Sequence, residues 1–420
     1  MNKKSFLEQF ILFDDLRGDE TVRKAATIFE AFENQKNVSR FEAEYCGVQR
    51  ALLAAGDELA AASGALWQNY IAALVAASEN PFSLSAERGK KEPRLTALAA
   101  LELPLIRKIC LWNWTAVSEF FGGPASCVAV WKGSSEVSAK RALLRDCLLI
   151  EDGSEADALF SYYERYGSGV IEKYDAFVWN GKLDGVARYD AVSFSQLIGY
   201  APQKEKIIEN TAFFVNGLPY NNMLLYGDRG TGKSSCVKAL LTAFKERNLK
   251  LVSLPRDEIG DLPSLTAALS ERGCKFVVFI DDLSFEENER GYKAFKSALE
   301  GSVRGQADNV LICATSNRRN IIREVWKERE GQDDINLNDG IQEKRSLADR
   351  FGLTVTFGAP DKQAYLEIVR GLAGREGLKS ADKLEAEALV WATRQGGRSG
   401  RTARQFINYV KGKTASEAIL

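Results

Sequence analysis

The residues best suited to do chemistry form one short glycine-rich segment near the middle of the chain. It follows the pattern GxxxxGK[ST] and comprises Gly227, Asp228, Arg229, Gly230, Thr231, Gly232, Lys233 and Ser234, with Ser235 directly after it. Glycines let backbone N–H groups curl around phosphates, and the N-terminus of a following helix adds partial positive charge. In this pattern the lysine reaches the β- and γ-phosphates and the serine holds Mg²⁺. The segment therefore predicts a site for a nucleoside triphosphate with its magnesium ion.

Two further polar signals follow apolar runs that have the character of buried strands. Asp281 and Asp282 come directly after the run 276–280, and Asn317 follows the run 310–314. Next to a phosphate loop, the first acid binds the water shell of the metal and the second polarises the attacking water. An asparagine at a neighbouring strand end can orient water against the γ-phosphate. Acids and asparagines are also frequent in turns after strands, so each signal indicates a nucleotide site only in combination with the phosphate loop.

The composition excludes several other kinds of chemistry. The 420 residues contain no histidine, which removes Ser-His-Asp and Cys-His mechanisms and His-ligated zinc sites. Seven cysteines without a CxxC pair indicate reduced thiols rather than a disulfide framework. With 56 basic and 57 acidic residues, the chain as a whole is not a polycation built to coat nucleic acid. No apolar stretch is free of charge for the twenty or so residues of a membrane span, so we expect a cytoplasmic protein with no membrane partner.

The elements that must position these residues can be read from the pattern of apolar runs. Residues 1–125 are rich in helix formers and predict a helical N-terminal domain. Residues 126–190 predict a mixed α/β connecting region with a hairpin at 177–183 that turns at Asn180-Gly181. Over 191–358, five strand-like runs alternate with helical patterns, which is typical of a parallel five-stranded sheet covered by helices. Residues 359–420 predict a lid of three helices, with Asp361, Ser380 and Ser399 as N-caps.

The order of these motifs resembles that of the AAA+ ATPases. More closely, the segments GDRGTGKSS, FIDDLSFE, ATSNRR, SLADRFG and RSGRTARQF resemble an uncharacterised family catalogued as domain of unknown function 815. The resemblance covers about residues 190–415 and implies a P-loop NTPase core with a C-terminal helical lid. The first 120 or so residues match no family that we can name.

The resemblance also implies roles for individual residues. Asn317 corresponds to the sensor-1 residue, and Arg350 to the arginine finger that one AAA+ subunit inserts into the site of a neighbour. Arg401 or Arg404 corresponds to the sensor-2 arginine of the lid, and Ile198-Gly199 to the segment that contacts adenine. Arginine suits the finger and sensor-2 tasks because it stays charged and grips phosphate in a planar fork.

One departure from the family pattern concerns the acidic strand end. Many AAA+ proteins carry Asp-Glu there, whereas this chain carries Asp281-Asp282. The shorter Asp282 must sit closer to the water, or leave that task to Glu286 or Glu287, and we expect hydrolysis to be slow.

These observations predict an ATP-binding AAA+ ATPase, dependent on Mg²⁺, that couples ATP binding and hydrolysis to remodelling or assembly of a macromolecular partner. Its working form is expected to be a homo-oligomer, a ring or a nucleotide-dependent assembly, acting on a protein client. Two alternatives stay open. One is a DNA-associated loader or initiator-like ATPase, and the other is a nucleotide switch that hydrolyses ATP slowly and serves as a scaffold.

Overall fold

The computed structural model describes residues 6–35, 41–55, 66–122, 136–283, 285–286, 295, 299, 307–317, 322–323, 350–378 and 382–419. The chain divides into two units, Met1–Tyr174 and Asp175–Leu420. The boundary between them falls inside the stretch 126–190 that we expected to connect two domains. None of the helices in these described ranges is both long and apolar enough to cross a bilayer.

The first unit is helical, as the abundance of helix-forming residues predicts. Local signals set the ends of several helices; at the helix Pro81–Glu87, for example, Asn80 and Ser83 form a reciprocal capping box and Pro81 occupies the first helical position. Its helices are α1 Asp14–Gly18, α2 Glu20–Glu33, α3 Phe41–Ala54, α4 Leu66–Ala77, α5 Pro81–Glu87, α6 Pro93–Cys110, α7 Trp114–Phe121, α8 Glu136–Leu148, α9 Glu155–Tyr166 and α10 Gly169–Lys173.

Buried charges in the first unit are tied to partners. The carboxylate of Glu102 accepts hydrogen bonds from the backbone N–H groups of residues 11–13 at 2.9–3.2 Å. Arg141 and Glu172 form a buried ion pair at 3.3 Å, and Glu172 also accepts a 2.7 Å bond from the Tyr162 hydroxyl. Because burying a charge is costly unless it is paired, these contacts explain how the unit tolerates charge in its core.

The second unit is built on a seven-stranded sheet. Its strands are β1 Ala176–Trp179, β2 Leu183–Gly185, β3 Met223–Gly227, β4 Leu249–Ser253, β5 Lys275–Ile280, β7 Val310–Ser316 and β9 Leu353–Phe357; the short strands β6 Phe285–Glu286 and β8 Ile322–Arg323 pair separately. The order is β2-β1-β4-β5-β7-β3-β9, and every pair is parallel except β1 with β2. The predicted fold class is confirmed, because the five predicted strands form one parallel sheet.

The sheet is wider than predicted because the hairpin at 176–185 joins it. We expected a two-residue Asn180-Gly181 turn, but Trp179 pairs with Leu183, so three residues connect the strands. Gly181 has φ +84°, a conformation that glycine adopts without strain. Strand β1 then pairs in parallel with β4, which places the hairpin at the sheet edge farthest from β9.

Helices flank the sheet and form the predicted lid. They are α11 Ala201–Val215, α12 Lys233–Ala243, α13 Leu262–Ser270, α14 Lys362–Arg375, α15 Asp382–Arg394 and α16 Gly400–Ile419. The Asp361 carboxylate caps α14 by accepting from the Ala364 N–H at 2.8 Å, and the Ser399 hydroxyl accepts from the Thr402 N–H at 3.2 Å. These two predicted N-caps are confirmed, whereas Ser380 lies outside the described residues.

Candidate functional site

The phosphate-loop segment joins β3 to α12 at the carboxyl edge of the sheet. Three of its glycines have positive φ: +140° at Gly227, +75° at Gly230 and +97° at Gly232. A Cβ at Gly227 would lie 1.9 Å from the backbone oxygen of Phe357 on the neighbouring strand, whereas a Cβ at Gly232 would meet nothing within 4 Å. Gly227 is therefore required for strand packing, and Gly232 leaves the start of α12 open, where backbone N–H groups can face an anion.

The Lys233 ammonium group is held at the inner side of this loop. Its Nζ donates to the backbone oxygens of Gly227 and Asp228 at 2.8 Å each and to Oδ1 of Asn317 at 3.0 Å. Burial lowers the pKa of Lys233, while the carboxylates of Asp228, Asp281 and Asp282 act in the opposite direction. The lysine thus lies among acceptors that phosphate oxygens can replace.

The two acids at the end of β5 are fixed from two neighbouring elements. Asp281 Oδ1 accepts from the Ser234 hydroxyl at 2.7 Å and from the Thr315 hydroxyl at 2.5 Å. Asp282 Oδ1 accepts from the side-chain amide of Asn317 at 2.6 Å. The parallel pairings of β5 with β7 and of β7 with β3 bring these side chains to one edge of the sheet.

These groups line one cavity of about 570 Å³ within the second unit. The predicted site residues among its lining are Ile198, Gly199, Arg229, Gly230, Thr231, Gly232, Lys233, Ser234, Ser235, Asp281, Asp282, Asn317, Arg401 and Arg404. Gly227 and Asp228 lie beside it through their contacts with Lys233. Arg350 is not among the described residues that line this cavity.

The lid closes one side of the cavity and contacts the phosphate loop directly. The backbone N–H of Arg401, at the start of α16, donates to the Gly230 oxygen at 3.2 Å. Arg401 and Arg404 are exposed at the protein surface and also line the cavity, so both residues lie at its rim. Either arginine can therefore reach a nucleotide in the cavity from the lid, as the sensor-2 role requires.

The segment around Ile198-Gly199 contacts both the lid and the sheet, because Leu197 and Tyr200 pack against the core of the sheet. Ile198 packs against the lid core, and a Cβ on Gly371 would come within 2.5 Å of its side chain. Arg375 of α14 donates to the backbone oxygens of Ser195 and Gln196. One wall of the cavity therefore combines this segment with apolar residues of α14, Ile368 and Leu372.

Sequence patterns had not pointed to several residues of the cavity. These are Gln196, Leu197, Tyr200, Lys204, Cys236, Thr315, Ile368, Leu372 and Gly400. Thr315 had a signal, because it stands at the end of the same strand-like run as Asn317. Cys236 is buried in the core of the sheet, and burial raises the pKa of its thiol to about 12. The thiol is therefore protonated and packs as a small core side chain.

The donor set at the loop fits a magnesium ion bound with a nucleotide. The Ser234 hydroxyl and the Asp281 carboxylate meet at 2.7 Å, and both supply oxygen ligands of the kind Mg²⁺ prefers. Magnesium in such sites is held by one or two protein groups together with phosphates and waters. Of the alternative water-orienting residues, Glu287 and the side chain of Glu286 lie outside the described residues.

A family model described as "Protein of unknown function (DUF815)" matches residues 172–414, more than half of the 420 residues. Among solved structures, the Thermotoga maritima RuvB Holliday junction branch migration motor is 16% identical, with 52% of this chain and 71% of that chain covered and a TM-score of 0.34. The FIGL-1 AAA domain in complex with ADP is also 16% identical, with 52% and 72% covered and a TM-score of 0.36. Likenesses at these TM-scores are too distant to bear on function. No curated protein matches the sequence.

Proposed function

The chain belongs to the DUF815 family, and on that premise we propose that it is an ATPase of the AAA+ type that binds ATP with Mg²⁺ in the cavity of its second unit. One observation carries the proposal: the phosphate loop, the two strand-end acids and Asn317 line the same cavity as the Ile198-Gly199 segment and the lid arginines. A volume of about 570 Å³ lies within the range of small-molecule sites.

The charges around the cavity suit a polyphosphate. Five cationic side chains line it, against the two carboxylates of Asp281 and Asp282; the cations are Lys204, Arg229, Lys233, Arg401 and Arg404. Backbone N–H groups at the start of α12 add partial positive charge. A ligand with several negative charges is therefore better matched to this cavity than a neutral one.

The reaction we propose is in-line attack of water on the γ-phosphoryl group, which breaks the bond to the β-phosphate oxygen and releases ADP and phosphate. Positioning and neutralisation of charge accelerate it. When a nucleotide binds, Lys233 would move its hydrogen bonds from backbone oxygens to phosphate oxygens, and Ser234 and Asp281 would hold the metal. Mg²⁺, when bound, neutralises charge on the phosphates. Asp282 orients the water and accepts its proton, and the Asn317 amide holds Asp282 in place. Glu286 and Glu287 remain the alternatives to Asp282 for the water.

The first test is the loss of the loop lysine. Lys233→Ala should weaken binding of a fluorescent ATP analogue by at least tenfold, because it removes a charged donor to the phosphates. Lys238→Ala is the matched control, since Lys238 lies on the same helix and outside the cavity lining. Binding is measured by fluorescence titration of the full chain, and turnover by phosphate release.

Two results would overturn the proposal. One is a folded wild-type chain that takes up no adenine nucleotide, and the other is equal binding by the Lys233→Ala and Lys238→Ala variants. Circular dichroism and thermal unfolding of all three proteins establish that they are folded before binding is compared.

We further propose that the working form is a cytoplasmic homo-oligomer that uses ATP to remodel or assemble a protein client. A DNA-associated role is the alternative favoured by the Asp281-Asp282 pair and by exposed basic residues of the lid, such as Arg394, Arg398 and Lys413. Affinity for DNA that falls steeply with salt would support that alternative. Turnover that stays slow with every candidate client would instead favour a nucleotide switch that acts as a scaffold.

A further inference from the structure

Thr315 contacts the acidic turn 281–283 through both its hydroxyl and its backbone oxygen. It lies in β7, is 1% exposed, and its hydroxyl lies between the two acids. That hydroxyl donates to Asp281 Oδ1 at 2.5 Å and accepts from the backbone N–H of Asp282 at 3.0 Å. Its backbone oxygen accepts from the Leu283 N–H at 2.7 Å. One residue thus holds three consecutive residues of the turn that carries the proposed chemistry.

The backbone of this turn needs such support. Asp282 has φ +53°, in the left-handed region that non-glycine residues occupy at a cost. A residue keeps that conformation only when its surroundings over-determine it. The bond from the Asp282 N–H to the Thr315 hydroxyl is one such constraint, and it acts on the residue proposed to orient water.

The same hydroxyl fixes the residue proposed to hold the metal. Asp281 Oδ1 receives bonds from both Ser234 and Thr315, so its carboxylate plane is set by donors from α12 and β7 together. Because Ser234 is also a proposed metal ligand, Thr315 is the donor to this oxygen that remains independent of the ion. Loss of the threonine hydroxyl would leave the carboxylate oriented by the serine alone.

We propose that Thr315 is a positioning residue that aligns Asp281 for magnesium and Asp282 for water through its single hydroxyl. This inference rests on the proposed ATPase function. It assigns Thr315 no contact with the nucleotide itself, and so it predicts a defect confined to metal-dependent steps.

The test compares variants that differ in the hydroxyl. Thr315→Val fills the same volume without the hydroxyl, and Thr315→Ser retains the hydroxyl without the methyl group. Because hydrogen bonds to charged groups contribute strongly, we expect Thr315→Val to lower turnover and ATP affinity in Mg²⁺ by about ten- to a hundredfold. In EDTA its ATP affinity should match wild type within about twofold. Thr315→Ser should stay within about threefold of wild type in both conditions.

Control variants separate positioning from general damage. Thr211→Val makes the same change at a fully buried threonine of α11 that does not line the cavity, and it should leave the magnesium dependence unchanged. If Thr315→Val does not fold, Thr315→Ala and Thr315→Ser still form a pair that differs by one oxygen. The Ala variant should then lose the magnesium-dependent gain in affinity that the Ser variant keeps.

The outcomes distinguish failure of the positioning role of Thr315 from failure of the proposed ATPase function. Equal magnesium dependence in wild type and Thr315→Val, or in the Ser and Ala variants, would overturn it while leaving the ATPase function standing. A parallel loss of affinity in EDTA and in Mg²⁺ would also overturn it, because that pattern indicates a general disturbance of the cavity. A wild-type chain that binds no ATP in either condition would instead contradict the proposed function.

Discussion

Asp282 occupies a left-handed backbone conformation that few side chains tolerate. Its φ is +53°, and Asn and Asp adopt this region more readily than other non-glycine residues. Asparagine at this position keeps both the favoured backbone conformation and an oxygen that can accept from Asn317. Alanine keeps neither. Two uncharged substitutions at this position, Asn and Ala, are therefore expected to differ in the free energy of unfolding that they cost.

We predict that Asp282→Asn binds ATP with near wild-type affinity and hydrolyses it about 10²–10⁴-fold more slowly, because it lacks the carboxylate proposed to accept the proton of water. Asp282→Ala should lose the same activity and also about 1 kcal/mol more free energy of unfolding than the Asn variant. Denaturant unfolding measures the second difference. Asp257→Ala serves as the control for removing a surface acid, because Asp257 is exposed in the 3₁₀ segment Arg256–Asp261.

Retained hydrolysis in Asp282→Asn would indicate that Glu286 or Glu287, rather than Asp282, orients the water. Equal stability of the Asn and Ala variants would contradict the account of the backbone at this residue. The two measurements are independent, so one can fail without the other.

For individual residues, types and spacing predicted which polar groups lie close together, and these groups line one cavity in the structure. What they did not single out was Thr315, because threonine is also an ordinary strand residue and its partners lie 33 and 34 positions away. Its hydroxyl acquires a task only through the register that pairs Phe279 with Cys313 and Ile280 with Ala314. That register is a property of the folded sheet.

Strands β3 and β9 meet so closely that the phosphate loop depends on their packing. Gly227 pairs with Phe357, and a Cβ on Gly227 would lie 1.9 Å from the Phe357 oxygen. The Asp228 carboxylate then accepts from the Ala359 N–H at 2.7 Å, just past the end of β9. The loop and the start of the lid are thus joined through one strand pair.

We predict that Gly227→Ala destabilises the chain by on the order of 3 kcal/mol, because backbone must move to admit the methyl group. Gly232→Ala should cost only about 1 kcal/mol, since its φ is also positive but its Cβ meets nothing within 4 Å. Denaturant unfolding without nucleotide compares the two. Similar losses in both variants would show that strain at positive φ, rather than the contact with β9, sets the cost.

Apolar runs predicted the five strands of the parallel sheet because buried parallel strands are continuous in apolar character. The continuous apolar run of β4 begins only at 251, whereas the strand begins at 249, because Lys250 interrupts the run. The structure buries Lys250 completely and pairs its ammonium group with the Asp175 carboxylate at 2.7 Å. A lysine is acceptable inside a sheet only with such a partner, and a partner 75 residues away is invisible to a local pattern.

On the scale of the whole molecule, Arg350 lies at the wrong end of the sheet to serve its own cavity. It precedes β9, which runs parallel to β3, and the phosphate loop begins where β3 ends, opposite Phe357. The run Leu353–Phe357 alone spans about 13 Å at 3.3 Å per residue, and Arg350 lies three residues before it. An arginine side chain does not bridge that distance. A role in hydrolysis therefore requires a second subunit.

We predict that Arg350→Ala keeps ATP binding and loses turnover by on the order of a thousandfold, because an arginine supplied in trans stabilises charge in the transition state. Mixing gives the decisive measurement. Subunits carrying Arg350→Ala and subunits carrying Asp282→Asn should each be inactive, yet their mixture should regain phosphate release, since one supplies an intact cavity and the other an intact arginine. Mixing Arg350→Ala with the Arg350→Ala, Asp282→Asn double variant should restore nothing. Full activity of Arg350→Ala, or of a strictly monomeric wild-type sample, would contradict a shared site.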